Sequence, residues 1–244
     1  MSDDGFFGNM PYLATMPSCV LYVRACSAAN NNIFDWSPSH LTVTNTNSTC
    51  VYNTSSPAKF PPASIYFNNP NASTTSYYLT IPYSSNFNFG TNNFCISAWV
   101  YFVSLNSGGT SIVSTYCSTS GYDCGIGLES NGNWIFAVTG SASSYLLTYI
   151  GSAPSTGQWY HVAMIRNGTS FTAYINGVSH SMGTSSSAVY TDGSTNPRIG
   201  SDQYSIKSSL IGYADEIAIW NGIGGLPVPT ISQLYPQTRR LIIG

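Results

Sequence analysis

The chain has 244 residues, of which 43% are hydrophobic and 14% aromatic, but only 7% are charged, against about 25% in an average soluble protein. Intrinsic disorder is excluded, because disordered chains are rich in charge and poor in aromatic residues. Seven lysines and arginines against nine acidic residues leave a net charge of -2, so the chain lacks the cations with which proteins neutralise nucleic-acid phosphates.

The predicted elements are short strands rich in β-branched and aromatic residues, separated by turn clusters. In chain order they cover residues 20–24, 64–67, 77–81, 94–103, 111–116, 125–129, 134–139, 159–166, 171–175, 198–200 and 212–220. Residues 30–56 form a polar stretch that we expect to hold loops and edge strands. Many short strands with turn signals between them are typical of an all-β sandwich or barrel.

Two Asn-Gly pairs predict tight hairpins, because Asn and Gly tolerate the left-handed backbone of such turns. Asn167-Gly168 separates HVAMIR from TSFTAYI, and Asn176-Gly177 follows directly. Alternation along the first of these strands, residues 161–166, puts apolar side chains on both of its faces. This pattern indicates a strand of a two-layer sandwich whose outer face is partly covered.

The first ten residues, MSDDGFFGNM, lack the basic and apolar regions of a secretory signal, and no apolar run reaches the length of a transmembrane helix. We therefore expect synthesis in a cytoplasm and no membrane insertion. The six cysteines stay ambiguous on this evidence, because they can be reduced packing residues or form bridges in an oxidising exterior.

Four ordered motifs resemble the concanavalin A-like lectin/glucanase superfamily, in its laminin-G-like branch. They are PYSSNFNFGTNNFCISAWVYF, GQWYHVAMIRNGTSFTAYINGV, RIGSDQ with IGYADEIAIWNG, and ISQLYP. The resemblance covers about residues 19–235 and implies an antiparallel two-sheet jelly roll, with a short helix near 230–234. Residues 1–18 are then an N-terminal arm and residues 236–244 a C-terminal tail.

The run FNFGTNNF most resembles modules of bacteriophage and other viral virion proteins. This resemblance implies a non-enzymatic virion surface protein, either a capsid decoration or a tail adhesin, made in the host cytoplasm. Its partners would be other virion proteins, copies of itself, and host-surface glycans. The alternative is a secreted carbohydrate-binding lectin outside any virion, which would be extracellular. A glycan hydrolase is disfavoured.

The argument against a hydrolase is that the chain offers no pair of carboxylates on one strand face, which glycosidases use to flank the scissile bond. Asp215 and Glu216 are adjacent, and successive strand side chains point to opposite faces. We expect Asp215 to be a buried carboxylate that accepts backbone hydrogen bonds from a loop. His161 is expected to be a structural, hydrogen-bonded histidine.

Loop aromatic residues are the candidates for stacking against sugars, while Trp99, Trp159 and Trp220 lie inside the motifs and are expected in the core. The predicted ligand-binding residues are Tyr122, Asp123, Tyr145, Tyr190, Asp192, Asp202 and Tyr204, with Tyr149 as a further loop tyrosine. We expect no cofactor and no metal. A calcium ion bound by Asp123, Asp192 and Asp202 is the alternative, although these acids lack the close spacing of a calcium loop.

Cys117 and Cys124 flank a loop containing Gly121 and are predicted to form a disulfide. Cys19, Cys26, Cys50 and Cys95 allow three pairings, which the sequence does not rank.

The two ends of the chain are predicted to dock the protein to its assembly, because they are too apolar to be left in water. The predicted contacts are Phe6, Phe7, Met10, Tyr12, Leu13, Arg239, Arg240, Leu241 and Ile242, and Met16 belongs to the same apolar arm. The alternative is that both ends fold back over their own sandwich.

Overall fold

The structure is a computed structural model that describes residues 12–25, 33–46, 50–53, 57–61, 63–67, 69, 77–117, 123–140, 145–202 and 209–235, with the backbone alone at 50–53, 116, 117, 123 and 145. Sixteen strands and one α-helix are named within these ranges. The strands are β1 Cys19–Ala25, β2 Ile33–Asp35, β3 Thr44–Asn45, β4 Cys50–Asn53, β5 Ser64–Phe67, β6 Leu79–Thr80, β7 Phe94–Phe102, β8 Thr110–Cys117, β9 Asp123–Leu128, β10 Trp134–Thr139, β11 Tyr145–Ile150, β12 Trp159–Asn167, β13 Ser170–Ile175, β14 Val178–Thr184, β15 Arg198–Ile199 and β16 Gly212–Asn221. The helix is α1, Ile231–Leu234.

The described strands pair antiparallel in two sheets. Sheet A has nine strands in the order β14-β13-β12-β7-β16-β1-β2, with β5 also paired to β16 and β4 to β5. Sheet B has seven strands in the order β11-β10-β9-β8-β15-β6-β3. The predicted all-β, two-sheet sandwich is thus confirmed. No helix in the described ranges is long and apolar enough to cross a membrane.

The main core lies between the two sheets and is filled by alternate residues of each strand. On β7 these are Phe94, Ile96, Ala98, Val100 and Phe102, and all five are fully buried. Phe102 meets the ring of Trp134 from sheet B edge-on, with 5.8 Å between ring centroids. Burying each large apolar side chain contributes about 1.5–3 kcal/mol, so this alternation fixes which face of β7 points inward.

Both predicted hairpins are present. Asn167 pairs with Ser170 at the end of the β12–β13 hairpin, and Gly168 has a φ of 61°. Ile175 pairs with Val178 in the β13–β14 hairpin, where Asn176 and Gly177 have φ values of 48° and 80°. Two consecutive positive φ angles are typical of a type I′ turn, which explains the need for Asn-Gly at this point.

Strands β11 and β14 lie outside the predicted elements, and both are edge strands of their sheets. In β14 only Met182 is buried, so the strand lacks the apolar alternation by which a strand is recognised in a sequence. The Asn176-Gly177 turn directs β14 back along β13 and so sets its position at the edge of the sheet. Pairing with β13 then supplies the backbone hydrogen bonds.

Parts of both ends pack on the outer face of sheet A, the face that points away from sheet B. Leu13, Met16 and Leu234 are buried there in a second apolar cluster with Trp220. The Nε1–H of Trp220 donates a hydrogen bond of 3.0 Å to the Leu13 carbonyl. The prediction that Leu13 is an assembly contact is therefore wrong, because its side chain is covered by its own sandwich. Tyr12 is 71% exposed and stays a predicted contact.

The remaining predicted contacts lie outside the described residues. They are Phe6, Phe7, Met10, Arg239, Arg240, Leu241 and Ile242. Residues 12–18 fold against the sandwich, whereas the predicted boundary had assigned them to a docking arm.

Cys19 and Cys95 are buried free thiols, and burial raises the pKa of each well above its ordinary value. Neither Cys19 nor Cys95 is therefore part of a disulfide, whereas Cys26 and the Cys50 side chain, the other two members of the three pairings left open, lie outside the described residues. At the other predicted bridge, the register sets Tyr116 opposite Cys124 and Cys117 opposite Asp123. The Cys117 side chain lies outside the described part, and the Cys117–Cys124 disulfide stays a prediction.

Candidate functional site

Four aromatic residues form a row across the outer face of sheet A. The register sets Trp159 of β12 opposite Tyr101 of β7, Tyr101 opposite Tyr213 of β16, and Tyr213 opposite Tyr66 of β5. All four alternate with core residues and therefore point away from sheet B. We call these four residues the aromatic row.

The rings of the aromatic row contact one another from strand to strand. Tyr66 stacks on Tyr213 with 4.6 Å between ring centroids, Tyr213 meets Tyr101 edge-on at 5.7 Å, and Tyr101 lies 5.6 Å from Trp159. Tyr213 is only 9% exposed, whereas the other three residues of the row are half-buried. Burial raises the pKa of Tyr213, and Tyr66 and Tyr101 raise it further. The row is thus a continuous, partly open aromatic surface.

A second row lies next to it and is buried. His161, Trp99 and Asp215 are opposite one another on β12, β7 and β16, two residues along each strand from the aromatic row. We call these three residues the polar row. His161 is fully buried, and its Nε2 lies 2.9 Å from the Ser97 hydroxyl. Burial, and then the positive charge of Lys59, lower the His161 pKa to about 3, so this imidazole is neutral at physiological pH.

Asp215 is fully buried and accepts hydrogen bonds from the backbone N–H of Phe60 at 3.2 Å and of Glu216 at 2.9 Å. This confirms the predicted carboxylate held by a loop. Burial raises its pKa to about 7, although Arg24, the two hydrogen bonds and Lys59 act in the opposite direction.

The expectation that Asp215 and Glu216 point to opposite faces is wrong. The register between β16 and β7 shifts between Asp215 and Ala218, and Glu216 has a φ of 50°. This β-bulge breaks the alternation, so both carboxyl groups lie near Arg24, whose Nε is 3.5 Å from Glu216 Oε1. Burial raises the Glu216 pKa to about 8. Glu216 is only 5% exposed, so the two acids are closed to a substrate.

Side chains from two other segments cover the polar row. Lys59 Nζ lies 3.6 Å from the centroid of the Trp99 ring, and the Phe60 ring meets the same indole edge-on at 5.9 Å. From the chain's other end, the Tyr235 ring lies 5.8 Å from Trp99 and 5.6 Å from His161. These described side chains lie over the polar row, while Trp159, Tyr101 and Tyr66 of the aromatic row beside it are half-buried.

Three buried polar atoms in these rows make no hydrogen bond among the residues that the structure describes. They are Trp99 Nε1, Trp159 Nε1 and His161 Nδ1. Buried polar groups almost always have a partner, so these atoms mark places where water or a ligand can bind. The Ser97 contact makes His161 a hydrogen-bonded residue, as predicted.

Three of the predicted ligand-binding residues have side chains that the structure describes, namely Tyr190, Asp192 and Asp202. Tyr190 is 42% exposed. Asp192 accepts hydrogen bonds from the backbone of Ser194 and Thr195; burial acts to raise its pKa, but these bonds and that of the Thr195 side chain lower it overall. Asp202 accepts a hydrogen bond from Arg198 through its backbone carbonyl, at 2.8 Å.

Tyr122 and Tyr204 lie outside the described residues, as do the side chains of Asp123 and Tyr145. Their proposed roles stay predictions. Tyr149, on the edge strand β11, is 52% exposed. Within the described ranges, no three His, Cys, Asp or Glu side chains come close enough together to hold a metal ion.

The prediction for the tryptophans was correct for two of three. Trp220 and Trp99 are 1% and 4% exposed, although both lie on the outer face of sheet A and not between the sheets. Trp159 is only half-buried and belongs to the aromatic row. Tyr66, Tyr101, Tyr213 and Trp159 all lie in strands that were predicted, but the sequence did not indicate that these four strands are neighbours in one sheet.

A family model described as the concanavalin A-like lectin/glucanases superfamily matches residues 73–223. The chain belongs to this superfamily. Its laminin-G-like character agrees with the sandwich described above. No curated protein sequence matches the chain.

Solved structures of low sequence identity share the superfamily fold with this lectin-like chain. The binding domain of Paraclostridial mosquitocidal protein 1 aligns with a TM-score of 0.64 at 16% identity, covering 89% of this chain and 51% of that one. Domain 4 of AbnA, an extracellular arabinanase of Geobacillus stearothermophilus solved with arabinotriose, aligns with a TM-score of 0.55 at 19% identity, covering 89% and 97%. A third structure is of botulinum neurotoxin type C, a toxin whose cell entry depends on interaction with two ganglioside molecules. It aligns with a TM-score of 0.57 at 15% identity, covering 89% of this chain and 50% of that one.

The chain therefore spans about half the length of the mosquitocidal and neurotoxin chains, and nearly all of the arabinanase domain. At these identities the alignments show a shared fold.

Proposed function

We propose that this chain is a non-enzymatic carbohydrate-binding module that holds sugar rings against the aromatic row. The observation that carries the proposal is the alignment of Trp159, Tyr101, Tyr213 and Tyr66 across four adjacent strands. Aromatic rings present a large, rigid apolar surface with a polar edge, which suits the apolar faces and peripheral hydroxyls of sugars. Two neighbours in fold, the arabinanase domain and the neurotoxin, are named with a carbohydrate or glycolipid ligand.

The absence of catalysis is part of the proposal. The two carboxyl groups with raised pKa, Asp215 and Glu216, are buried. The Asp215 carboxyl group accepts the backbone N–H groups of Phe60 and Glu216, and the Glu216 carboxyl group is paired with Arg24. A glycosidase needs both carboxyl groups beside an accessible sugar bond. We expect no reducing sugar to be released from any glycan that the chain binds, and release that Asp215→Asn abolishes in a folded protein would contradict this.

The setting that we propose is the surface of a virion, as a capsid decoration or a tail adhesin. It is supported by the resemblance of the FNFGTNNF run, residues 87–94, to virion modules and by the low content of charged residues. Particles purified on a density gradient should contain the chain, as measured by mass spectrometry. Recovery only in the particle-free fraction would favour the secreted lectin.

A glycan array followed by titration calorimetry tests the binding function. Replacing Tyr101 with Ala removes the ring at the centre of the row and should weaken binding by about 2 kcal/mol, as for a central aromatic contact. The matched control is Tyr149→Ala, which removes an exposed tyrosine from the other sheet and should leave affinity unchanged. Affinity that falls only in the control variant would place the site elsewhere, and an array without any bound glycan would refute the function.

A further inference from the structure

The polar groups that border the aromatic row are mainly hydrogen-bond donors. Lys59 is half-buried with its amine over the Trp99 indole, and Trp99 precedes Tyr101 by two residues on the same face of β7. The amine thus lies one residue row away from the aromatic row. A lysine amine donates up to three hydrogen bonds and accepts none when charged.

Two further donors at this place have no partner in the described part of the chain. They are the indole N–H groups of Trp99 and Trp159, and both are buried. Indole offers a donor and no acceptor. Trp159 belongs to the aromatic row, and Trp99 belongs to the polar row beside it, under Lys59 and Phe60.

The two carboxyl groups at this place are buried and face groups of their own chain. The Asp215 carboxylate receives the N–H groups of Phe60 and Glu216, and Glu216 is paired with Arg24. Burial raises the pKa of both acids, so their negative charge near neutral pH is reduced. Burial also lowers the pKa of Lys59, an effect that Asp215 opposes and that a bound carboxylate would oppose further. Among the described residues, the two acids at this place, Asp215 and Glu216, are both buried and do not face the open side.

We infer that the glycan bound by the aromatic row is acidic, with its carboxylate bound by the Lys59 amine at the border with the Trp99 and Trp159 indoles. This inference rests on the proposed carbohydrate-binding function and names the chemical class of its ligand. A carboxylate brings the acceptors that these donors lack, and charge-assisted hydrogen bonds are about twice as strong as neutral ones. The probes that test this inference therefore carry carboxylates.

The experiment compares probes that differ only in charge. Trigalacturonic acid is titrated against its methyl ester, and 3′-sialyllactose against lactose, with the full chain in low-salt buffer at pH 7. We expect at least one acidic probe to bind about tenfold more tightly than its neutral form. Raising sodium chloride to about 0.5 M should weaken the acidic probe and leave the neutral one unchanged, because salt screens charges that solvent can reach.

Lys59→Gln should remove the preference by weakening the acidic probe about tenfold while the neutral probe keeps its affinity. The matched control is Lys207→Gln at the chain's other lysine, which changes the net charge equally and should retain the preference. The salt dependence of the wild-type chain tests the inference even if Lys59→Gln unfolds.

The outcomes separate the two levels of the argument. Equal binding of acidic and neutral probes, with loss of both in Tyr101→Ala, would overturn the acidic ligand and keep the carbohydrate function. Failure of every probe to bind the wild-type chain would overturn the acidic ligand, while only a glycan array without any bound glycan would overturn the carbohydrate function. A preference that survives in Lys59→Gln would also overturn the assignment of the carboxylate to Lys59.

Discussion

The two faces of sheet A are built by opposite means from the same strands. On β7, the face toward sheet B consists of fully buried apolar side chains, ending with Phe102. The other face carries Cys95, Ser97, Trp99 and Tyr101 in succession. The first face is uniform because it has one partner, the second sheet.

The outer face is divided into three zones along β7. At one end, Leu13, Met16 and α1 cover an apolar cluster around Trp220. In the middle lies the polar row under Lys59 and Tyr235, and at the other end lies the half-open aromatic row. The inner face therefore specifies the fold, while the outer face leaves one accessible surface whose aromatic residues are not part of the main core.

The largest effect should come from the inner face. Phe102→Ala removes a fully buried ring that packs on Trp134 and should lower the free energy of unfolding by about 3–5 kcal/mol, measured by urea denaturation. Its neighbour Tyr101 is half-buried on the outer face, so Tyr101→Ala should cost clearly less stability while reducing glycan affinity. An equal loss of stability in both variants would remove the contrast between the faces.

The next effect concerns the segment that covers the outer face. Leu13 is buried in the cluster with Trp220, so Leu13→Ala should destabilise the isolated chain by about 2–5 kcal/mol, measured by thermal and urea unfolding. Tyr12→Ala, at a neighbouring residue that is 71% exposed, serves as the control and should stay within about 0.5 kcal/mol of the wild type. Unchanged stability in Leu13→Ala would restore the docking role that the sequence suggested for this residue.

The inner face was predictable from the sequence and the outer face was not. Alternation in HVAMIR and the two Asn-Gly pairs indicated β12, β13 and their faces, because local preferences determine these features. The aromatic row joins residues from four strands that are distant in the chain, and only the order of strands in the sheet brings them together. The β-bulge at Glu216 was also not predicted, because strict alternation of side chains along a strand leaves no place for the extra residue of a bulge.

The polar row should make stability depend on pH. The Asp215 pKa rises from 3.8 to about 7 and the Glu216 pKa from 4.5 to about 8, so their contribution to stability is complete below about pH 4 and is lost as pH rises through 8. The His161 pKa falls from 6.5 to about 3, so its contribution is lost as pH falls below 6.5. Above pH 6.5 the two acids dominate, and the free energy of unfolding should fall by about 1–3 kcal/mol between pH 6.5 and 8.5.

Urea denaturation at a series of pH values measures this slope. Glu216→Gln removes the group whose pKa of about 8 gives most of the slope above pH 6.5 and should flatten the curve there, whereas Asp192→Asn, at an exposed loop carboxylate whose pKa is lowered, should leave it unchanged. A slope of the same size in Glu216→Gln would assign the titration to other groups.

The smallest effect on stability should occur at the open end of the outer face, in the aromatic row. A substitution there should change the affinity for a glycan while leaving the free energy of unfolding nearly unchanged. Trp159→Phe keeps an aromatic ring in the row and removes a buried indole N–H that has no partner in the described structure. Because no hydrogen bond is lost and the removed donor was unsatisfied, the free energy of unfolding should change by less than about 0.5 kcal/mol. The affinity for an acidic glycan should nevertheless fall several-fold, since the ligand loses a donor at the border of the row.

Trp134→Phe, in the core between the sheets, should show the reverse pattern, with lower stability and normal affinity per folded molecule. If Trp159→Phe instead destabilised the chain and left affinity intact, the indole would be a packing residue, and the outer face would serve the fold at this end as well.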